Sequence, residues 1–374
     1  MPETLKKWVY AKPIEDDTLR PEQFALVETA VPELSEGEAL VRVKLVNIHS
    51  STRARMVRGL TAIGQTDFSN YACGEVIASR DPAFKEGDVI ACQAGWQDYQ
   101  VIRSQDGPVH YAPPHELVKA LNGTNSQWCY VFRPAMVKMW PTEVLMEMFG
   151  TSGMTAYFGL RECGPIMPRD RVAVAGATGS VGSIAAQLAK LAGAYVVGFA
   201  GGTERCRWVV ETFGLDGCLD YRADDFDAQL KAAFPTGIDV FSDGIGGVLT
   251  DTVTREINRD GRHMAYGSAA ALYAERLDMG PGERPSLRRA FGLTDEIEAR
   301  LKQRNVKVEA WIVDAFYHER LKAEDDLSRL LISGALKPVN TVAEGFESLP
   351  QAIVDLYRTG RSGKLQVRFH PDKV

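Results

Sequence analysis

The stretch Arg171-Val-Ala-Val-Ala-Gly176-Ala-Thr-Gly179-Ser-Val-Gly182-Ser-Ile-Ala-Ala-Gln-Leu-Ala-Lys190 reads as a short buried strand, a glycine turn and an Ala/Leu-rich helix in direct succession. Glycine at 176, 179 and 182 lets the backbone turn tightly, lets a pyrophosphate reach the helix N-terminus and lets the helix press on the strand. The spacing is GxxGxxG, one residue away from the GxGxxG dinucleotide fingerprint. A second strand pattern, Ala194-Tyr-Val-Val-Gly-Phe-Ala200, follows where a βαβ unit of about 30 residues places it, which favours a dinucleotide over a bare strand-to-helix turn. Gly176, Ala177, Thr178, Gly179, Ser180, Val181 and Gly182 are the expected pyrophosphate seat.

The end of that second strand distinguishes the two nicotinamide dinucleotides, since an NAD site normally places Asp or Glu there on the ribose hydroxyls. Here the chain runs into Ala200-Gly201-Gly202, small residues that leave room for a 2′-phosphate, with Arg205 and Arg207 close behind as charge-assisted donors. NADP(H) is the expected cofactor, with Gly201 and Arg205 at its phosphate. Glu204 speaks against it as a late ribose ligand, and the arginines also fit a solvated helix face.

At 374 residues the chain is long enough for two domains and a large core. A formal net charge of −6 gives no footprint for nucleic acid or an anionic membrane. The first residues lack the apolar core of a signal peptide, and no run approaches the roughly 20 apolar residues of a membrane span. A cytoplasmic protein with a small-molecule substrate is expected. Cys73, Cys92, Cys129, Cys163, Cys206 and Cys218 form no CxxC pair and the histidines are dispersed, so free thiols and no metal site are expected.

Toward the N-terminus, Ala39-Leu-Val-Arg-Val-Lys-Leu-Val46 alternates apolar with basic residues, as a half-buried strand does. Short strands around 73–79, 84–92 and 96–102 follow, separated by Gly, Asp and Pro turn signals, as in a β-barrel. After about Pro141 the texture changes to alternating helix and strand, with further strands at 218–221, 238–243, 261–267 and 306–313. The fold class is α/β: a Rossmann-type doubly wound parallel sheet and a β-rich, barrel-like domain. The expected division is 1–140 with 341–374 for the β-rich domain and 141–340 for the dinucleotide domain, with the last strand, from Gly363, rejoining the first. An aromatic and Met-rich insertion at about 115–140 either roofs a substrate cleft, forms a subunit contact or buries its own aromatics.

Gly95-Trp-Gln-Asp-Tyr-Gln-Val, Gly150-Thr-Ser-Gly-Met-Thr-Ala-Tyr-Phe-Gly-Leu160, Ala177-Thr-Gly-Ser-Val-Gly-Ser183, Leu219-Asp-Tyr-Arg222, Gly237-Ile-Asp-Val-Phe-Ser-Asp243 and Gly345-Phe-Glu-Ser-Leu-Pro-Gln-Ala352 carry a resemblance along nearly the whole chain. It is similar to the zinc-free branch of the medium-chain dehydrogenase/reductase superfamily, nearest the prostaglandin/leukotriene reductases and alkenal double-bond reductases. The resemblance implies a GroES-like catalytic domain, a homodimer, and NADPH-dependent hydride transfer to an activated C=C bond of an α,β-unsaturated ketone or aldehyde. By position it implies that Arg205 replaces the family's 2′-phosphate lysine, that Tyr221 lies against the adenosine, and that Asp243 and Arg361 stand at cofactor positions. Tyr273, one residue later than the family's substrate-facing tyrosine, is implied to hold the substrate carbonyl and stabilise the enolate; a structural surface tyrosine is the alternative.

Departures cluster where the family pattern reads Asp-Pro-Tyr-Met-Arg and this chain has His49-Ser50-Ser51-Thr52-Arg53. Arg53 is retained. His49 is either a new acid or carbonyl ligand, given its near-neutral intrinsic pKa, or a structural hydrogen-bonder. Ser51 and the insertion's Trp128 and Tyr130 are candidate pocket residues. Two other functions fit these residues: a zinc-free alcohol/ketone or quinone oxidoreductase, and a non-catalytic NADPH-binding sensor.

Overall fold

A computed structural model describes residues 2–16, 18–57, 59, 61–104, 129–270, 286–358 and 362–369. The chain divides into two units: Met1–Thr151 with Asp314–Asp325 and Asn340–Val374, and Ser152–Val313 with Asp326–Val339.

In the first unit, β1 (Thr4–Tyr10) and β2 (Phe24–Ala30) form an antiparallel pair. The main sheet contains β3 (Ala39–Asn47), β4 (Ala72–Ser79), β5 (Val89–Cys92), β6 (Tyr99–Ile102) and β7 (Cys129–Val131). β3 shows the expected alternation: Val41, Val43 and Leu45 are buried, while Arg42 and Lys44 point outward to Glu75 on β4 at 3.2 and 2.9 Å.

The second unit holds β8 (Arg171–Ala175), β9 (Tyr195–Ala200), β10 (Gly217–Asp220), β11 (Ile238–Asp243), β12 (Ile257–Ala265) and β13 (Lys307–Ala310), all parallel, in the order β10-β9-β8-β11-β12-β13. That order reverses direction between β8 and β11, the switch point where such sheets take ligands beyond their carboxyl ends. Ala173, Val197, Phe199, Phe241 and Ile257 pack with Phe226, Leu230, Ile297 and Leu301 in one apolar core. Both faces of the sheet need cover because its central strands β8 and β9 are near-continuous apolar runs.

After the dinucleotide unit, β14 (Asn340–Glu344) and β15 (Lys364–Arg368) return to the first sheet, whose order is β14-β15-β3-β4-β5-β7 with β6 also on β3. The division differs from the sequence expectation in two places. Helix Thr142–Met148 belongs with the β-rich unit because the side-chain amides of Asn47, Gln366 and Asn340 donate to Met146 O (2.9 Å), Glu143 O (3.0 Å) and Glu147 Oε2 (3.1 Å). Asp314–Asp325 returns there as well, bringing Arg320 to the Phe149 carbonyl. Among the described residues no helix is long and apolar enough to cross a membrane.

Candidate active site

β8 ends at Ala175 and the chain turns at Gly176 with φ +64°, a conformation that favours glycine. A Cβ on Gly182 would stand 2.3 Å from the Gly176 carbonyl oxygen, so only glycine lets helix Ser180–Leu191 start this close to the strand. The Gly179 N–H donates to Gly176 O at 2.8 Å, and the Ala177 N–H donates to Phe199 O at 3.0 Å, which ties the turn to β9. The amides of Ser180 and Val181 open the helix without intrahelical acceptors, at its positive end. The backbone from Gly176 to Gly182 has the form that seats a pyrophosphate.

At the carboxyl end of β9, a Cβ on Gly201 would come within 2.8 Å of Arg222 Nε and 3.0 Å of the Tyr221 hydroxyl. Arg205 lies at the next residue of the turn, its Nε 4.0 Å from where a Gly202 Cβ would stand. Asp220 fixes this arrangement by accepting the Gly202 N–H at 2.9 Å and the Arg222 N–H at 3.0 Å. These bonds, with the charges of Arg222 and Arg205, hold its carboxyl below the usual range. Two guanidinium groups and a phenol thus converge beside a strand end with no acidic side chain at 201 or 202. An adenosine 2′-phosphate matches these donors in charge and geometry.

Asp243, expected among the cofactor contacts, spends its carboxylate on its own loop. Oδ1 accepts the Ile245 and Gly246 N–H groups at 2.9 and 3.2 Å, and Oδ2 accepts the Thr250 hydroxyl and lies 3.4 Å from His263 Nε2. Both oxygens are committed, so Asp243 shapes the turn after β11 rather than presenting a carboxylate to a ligand.

In the β-rich unit, His49 follows β3 and its N–H donates to Asn70 Oδ1 at 3.0 Å; Asn70 Nδ2 in turn donates to Thr52 Oγ1 at 2.7 Å. The next helix, Ser51–Val57, holds Arg53 only 7% exposed, its guanidinium 5.2 Å from the centre of the Tyr357 ring. The Tyr357 hydroxyl donates to Ser50 O at 3.0 Å, and Ser51 Oγ is exposed and bonded to Ser69 Oγ at 3.2 Å. Behind His49 lies Lys364, 1% exposed, with Nζ 3.1 Å from Ile48 O and 3.4 Å from His49 Nε2. Burial pushes the Lys364 ammonium down to about 7 against the opposing pull of buried Glu147. Burial and that ammonium hold the His49 imidazole well below its ordinary value. At neutral pH His49 is therefore a neutral N–H donor and not an imidazolium acid.

Tyr130, expected to line a substrate pocket, is locked into an ion cluster. Its hydroxyl donates to Glu324, and the Arg320 guanidinium lies 3.5 Å from its ring centre. Glu324, wholly buried, also binds Arg320 at 3.0 Å and Arg133 at 3.0 Å. A buried carboxylate requires this many donors, which is why the phenol is spent.

Comparison with known proteins agrees with this geometry. Residues 6–108 match a family model described as the N-terminal domain of oxidoreductase, and residues 180–295 match one described as zinc-binding dehydrogenase. An NADPH-dependent curcumin reductase of Escherichia coli is 29% identical over 98% of this chain and 97% of its own length. A 2-alkenal reductase (NADP(+)-dependent) of Nicotiana tabacum is 27% identical over 96% of this chain and 94% of its own. The crystal structure of CurA from Vibrio vulnificus in complex with NADPH superposes with a TM-score of 0.76 at 25% identity, over 98% and 99% of the two chains. The chain belongs to the zinc-independent medium-chain dehydrogenase/reductase superfamily.

Among the described residues of this dehydrogenase/reductase, no group of three or more His, Cys, Asp and Glu side chains could hold a metal ion. Tyr273, Arg361 and Trp128 lie outside the described residues. Three residues escaped the sequence reading. Arg222 was visible only as the residue after Tyr221. Lys364 sat at the start of an alternating strand, where a lysine reads as outward-facing. Asp314 interrupts the apolar run from Trp311, and burial pushes its carboxyl up to about 7; burial first, and the Asp314 charge after it, raise the phenols of Tyr71 and Tyr317.

Proposed function

We propose that this chain reduces the activated carbon–carbon double bond of an α,β-unsaturated ketone or aldehyde. NADP(H) is its cofactor. The gathering of Arg222 and Tyr221 at Gly201 and of Arg205 at Gly202 carries the reading, in a chain aligned almost end to end with a curcumin reductase and a 2-alkenal reductase. Reduced nicotinamide supplies a hydride when bound. The chain's own work is to orient the acceptor and to stabilise negative charge on its carbonyl oxygen as the β-carbon accepts that hydride. Tyr273, Arg53 and His49 are the proposed donors. The neutral His49 N–H donates a hydrogen bond without surrendering a proton, and Arg53 is held by Tyr357 in a fixed position. Work as a cytoplasmic homodimer belongs to the same proposal; sedimentation velocity checks the dimer and cell fractionation the compartment.

Product analysis tests the reaction. Benzylideneacetone and NADPH should yield the saturated ketone, identified by NMR. An allylic alcohol as product would make the protein a carbonyl reductase instead. Tight NADPH binding without turnover of enones, quinones or aldehydes would leave a cofactor-binding sensor.

A further inference from the structure

Two cysteines sit beside the phosphate end of the nucleotide unit. Cys206 lies in the first turn of helix Thr203–Phe213 and is 6% exposed, with its Sγ 3.9 Å from the Ala200 carbonyl at the end of β9. Cys218 lies on β10, in register with Gly198 of β9, and is partly exposed. A Cβ on Gly198 would be 3.5 Å from Cys218 Sγ, which places that sulfur over β9 on the helix side. The two thiols share a hydrogen bond. We infer that Cys206 and Cys218 form an oxidisable dithiol whose disulfide, made by a hydroperoxide, weakens NADPH binding at the adjoining phosphate site.

The chemistry divides cleanly between the two sulfurs. The hydrogen bond from Cys218 holds the Cys206 thiol below its ordinary value, with Arg205 adding to this, while Cys218 is held up. Cys206 is the nucleophile. Its thiolate attacks hydrogen peroxide, an S–O bond forms as the O–O bond breaks, and the hydroxide released takes up a proton as water. The Cys218 thiol attacks the resulting sulfenic acid, an S–S bond forms, the S–O bond breaks, and water leaves with the thiol proton. Two thiols and one peroxide become one disulfide and two waters, with two electrons passed to the peroxide. Closure contracts the pair from a hydrogen bond to a covalent S–S length of about 2.05 Å. Cys92 and Cys129 also face each other across β5 and β7, but at 1% and 2% exposure with burial holding the Cys92 thiol up they are shielded from an oxidant.

Closure acts on the cofactor through chain neighbours. Arg205 precedes Cys206, and Asp220, two residues beyond Cys218, accepts the Gly202 N–H. A shift of the helix start toward β10 displaces Arg205 and the Gly201–Gly202 turn together. This effect on affinity rests on the phosphate placement proposed above; disulfide formation itself does not.

The test separates the two. The full chain is treated with hydrogen peroxide, its thiols are alkylated differentially before and after reduction, and peptides are read by mass spectrometry, alongside NADPH titrations. A Cys206–Cys218 disulfide, with NADPH affinity weakened by at least about fivefold and restored by dithiothreitol, supports the inference. Cys206→Ser and Cys218→Ser should each bind NADPH like the reduced wild type and lose the response to peroxide. Absence of the disulfide overturns the dithiol. A disulfide that leaves NADPH affinity unchanged overturns the regulation, and if the reduced protein also binds NADH equally well, the phosphate placement is at fault.

Discussion

At the Gly201–Gly202 turn the neighbouring side chains come from two strand ends: Arg205 follows β9 and Arg222 follows β10. Hydrogen bonds to a charged group contribute about 1.5–3 kcal/mol each, so Arg222→Ala should weaken NADPH by roughly tenfold to a hundredfold and leave NADH nearly unaffected. Intrinsic-fluorescence titration with both cofactors reads this directly; an equal loss for NADPH and NADH would show that Arg222 does not meet the phosphate. Arg205 was legible because reading down the chain from a strand end reaches the next helix. Arg222 was not, since it becomes a neighbour only when β10 pairs beside β9, Asp220 against Ala200. Lys364 was hidden in the same way, in a strand whose alternating Lys-Leu-Gln-Val-Arg pattern predicts an outward lysine. Its folded pKa near 7, against 10.5 ordinarily, means the unfolded chain binds the proton more tightly from about pH 7 to 10.5, so its contribution to stability rises with pH across that window. Carbon-13 NMR of labelled lysines should show one Cε resonance titrating near 7 and absent in Lys364→Met. A full set titrating near 10.5 would mean the ammonium is solvated.

Among elements, the β8–turn–helix unit was the most legible because each part is local: an apolar strand, three glycines at fixed spacing and an alanine-rich helix. The structure adds the reason for the third glycine. Gly182→Ala puts a Cβ against backbone, which cannot swing aside, so the strand and helix must separate. That substitution should lower stability by about 1–3 kcal/mol in urea unfolding and weaken NADPH and NADH alike, since both carry the pyrophosphate. Loss of NADPH binding alone would contradict the shared seat. Tyr130, before Trp140, was hard to read for the opposite reason. It looks like a pocket aromatic in sequence, yet its partners Arg320 and Glu324 lie far along the chain in a segment with an ordinary helical pattern. Tyr130→Phe removes one donor and leaves Arg133 and Arg320 on the carboxylate, at about 1–3 kcal/mol of stability. The KM for benzylideneacetone should stay unchanged, and a rise in it would return Tyr130 to the substrate pocket.

On the scale of the molecule, the chain passes from one unit to the other four times, after Thr151, Val313, Asp325 and Val339. Alternating texture in the sequence showed two kinds of architecture but only the outer crossings. The excursion Asp314–Asp325 has no compositional boundary; what commits it is Arg320 on the Phe149 carbonyl and Glu324 under Tyr130. The return to the nucleotide unit is likewise made by individual bonds, from the Tyr157 hydroxyl to Asp326 at 2.6 Å and from the Lys337 N–H to Gln187 at 2.9 Å. Each unit has its own sheet and core, so openings of one need not open the other. NADPH at about a hundred times its Kd adds roughly 2.7 kcal/mol to any opening that releases it. Native-state hydrogen exchange should therefore slow most in peptides spanning 171–182, 197–205 and 217–222, while amides of β1 and β2 keep their rates. Uniform slowing across both units would mean that the two sheets open only together, and that four chain crossings have made one cooperative unit out of two cores.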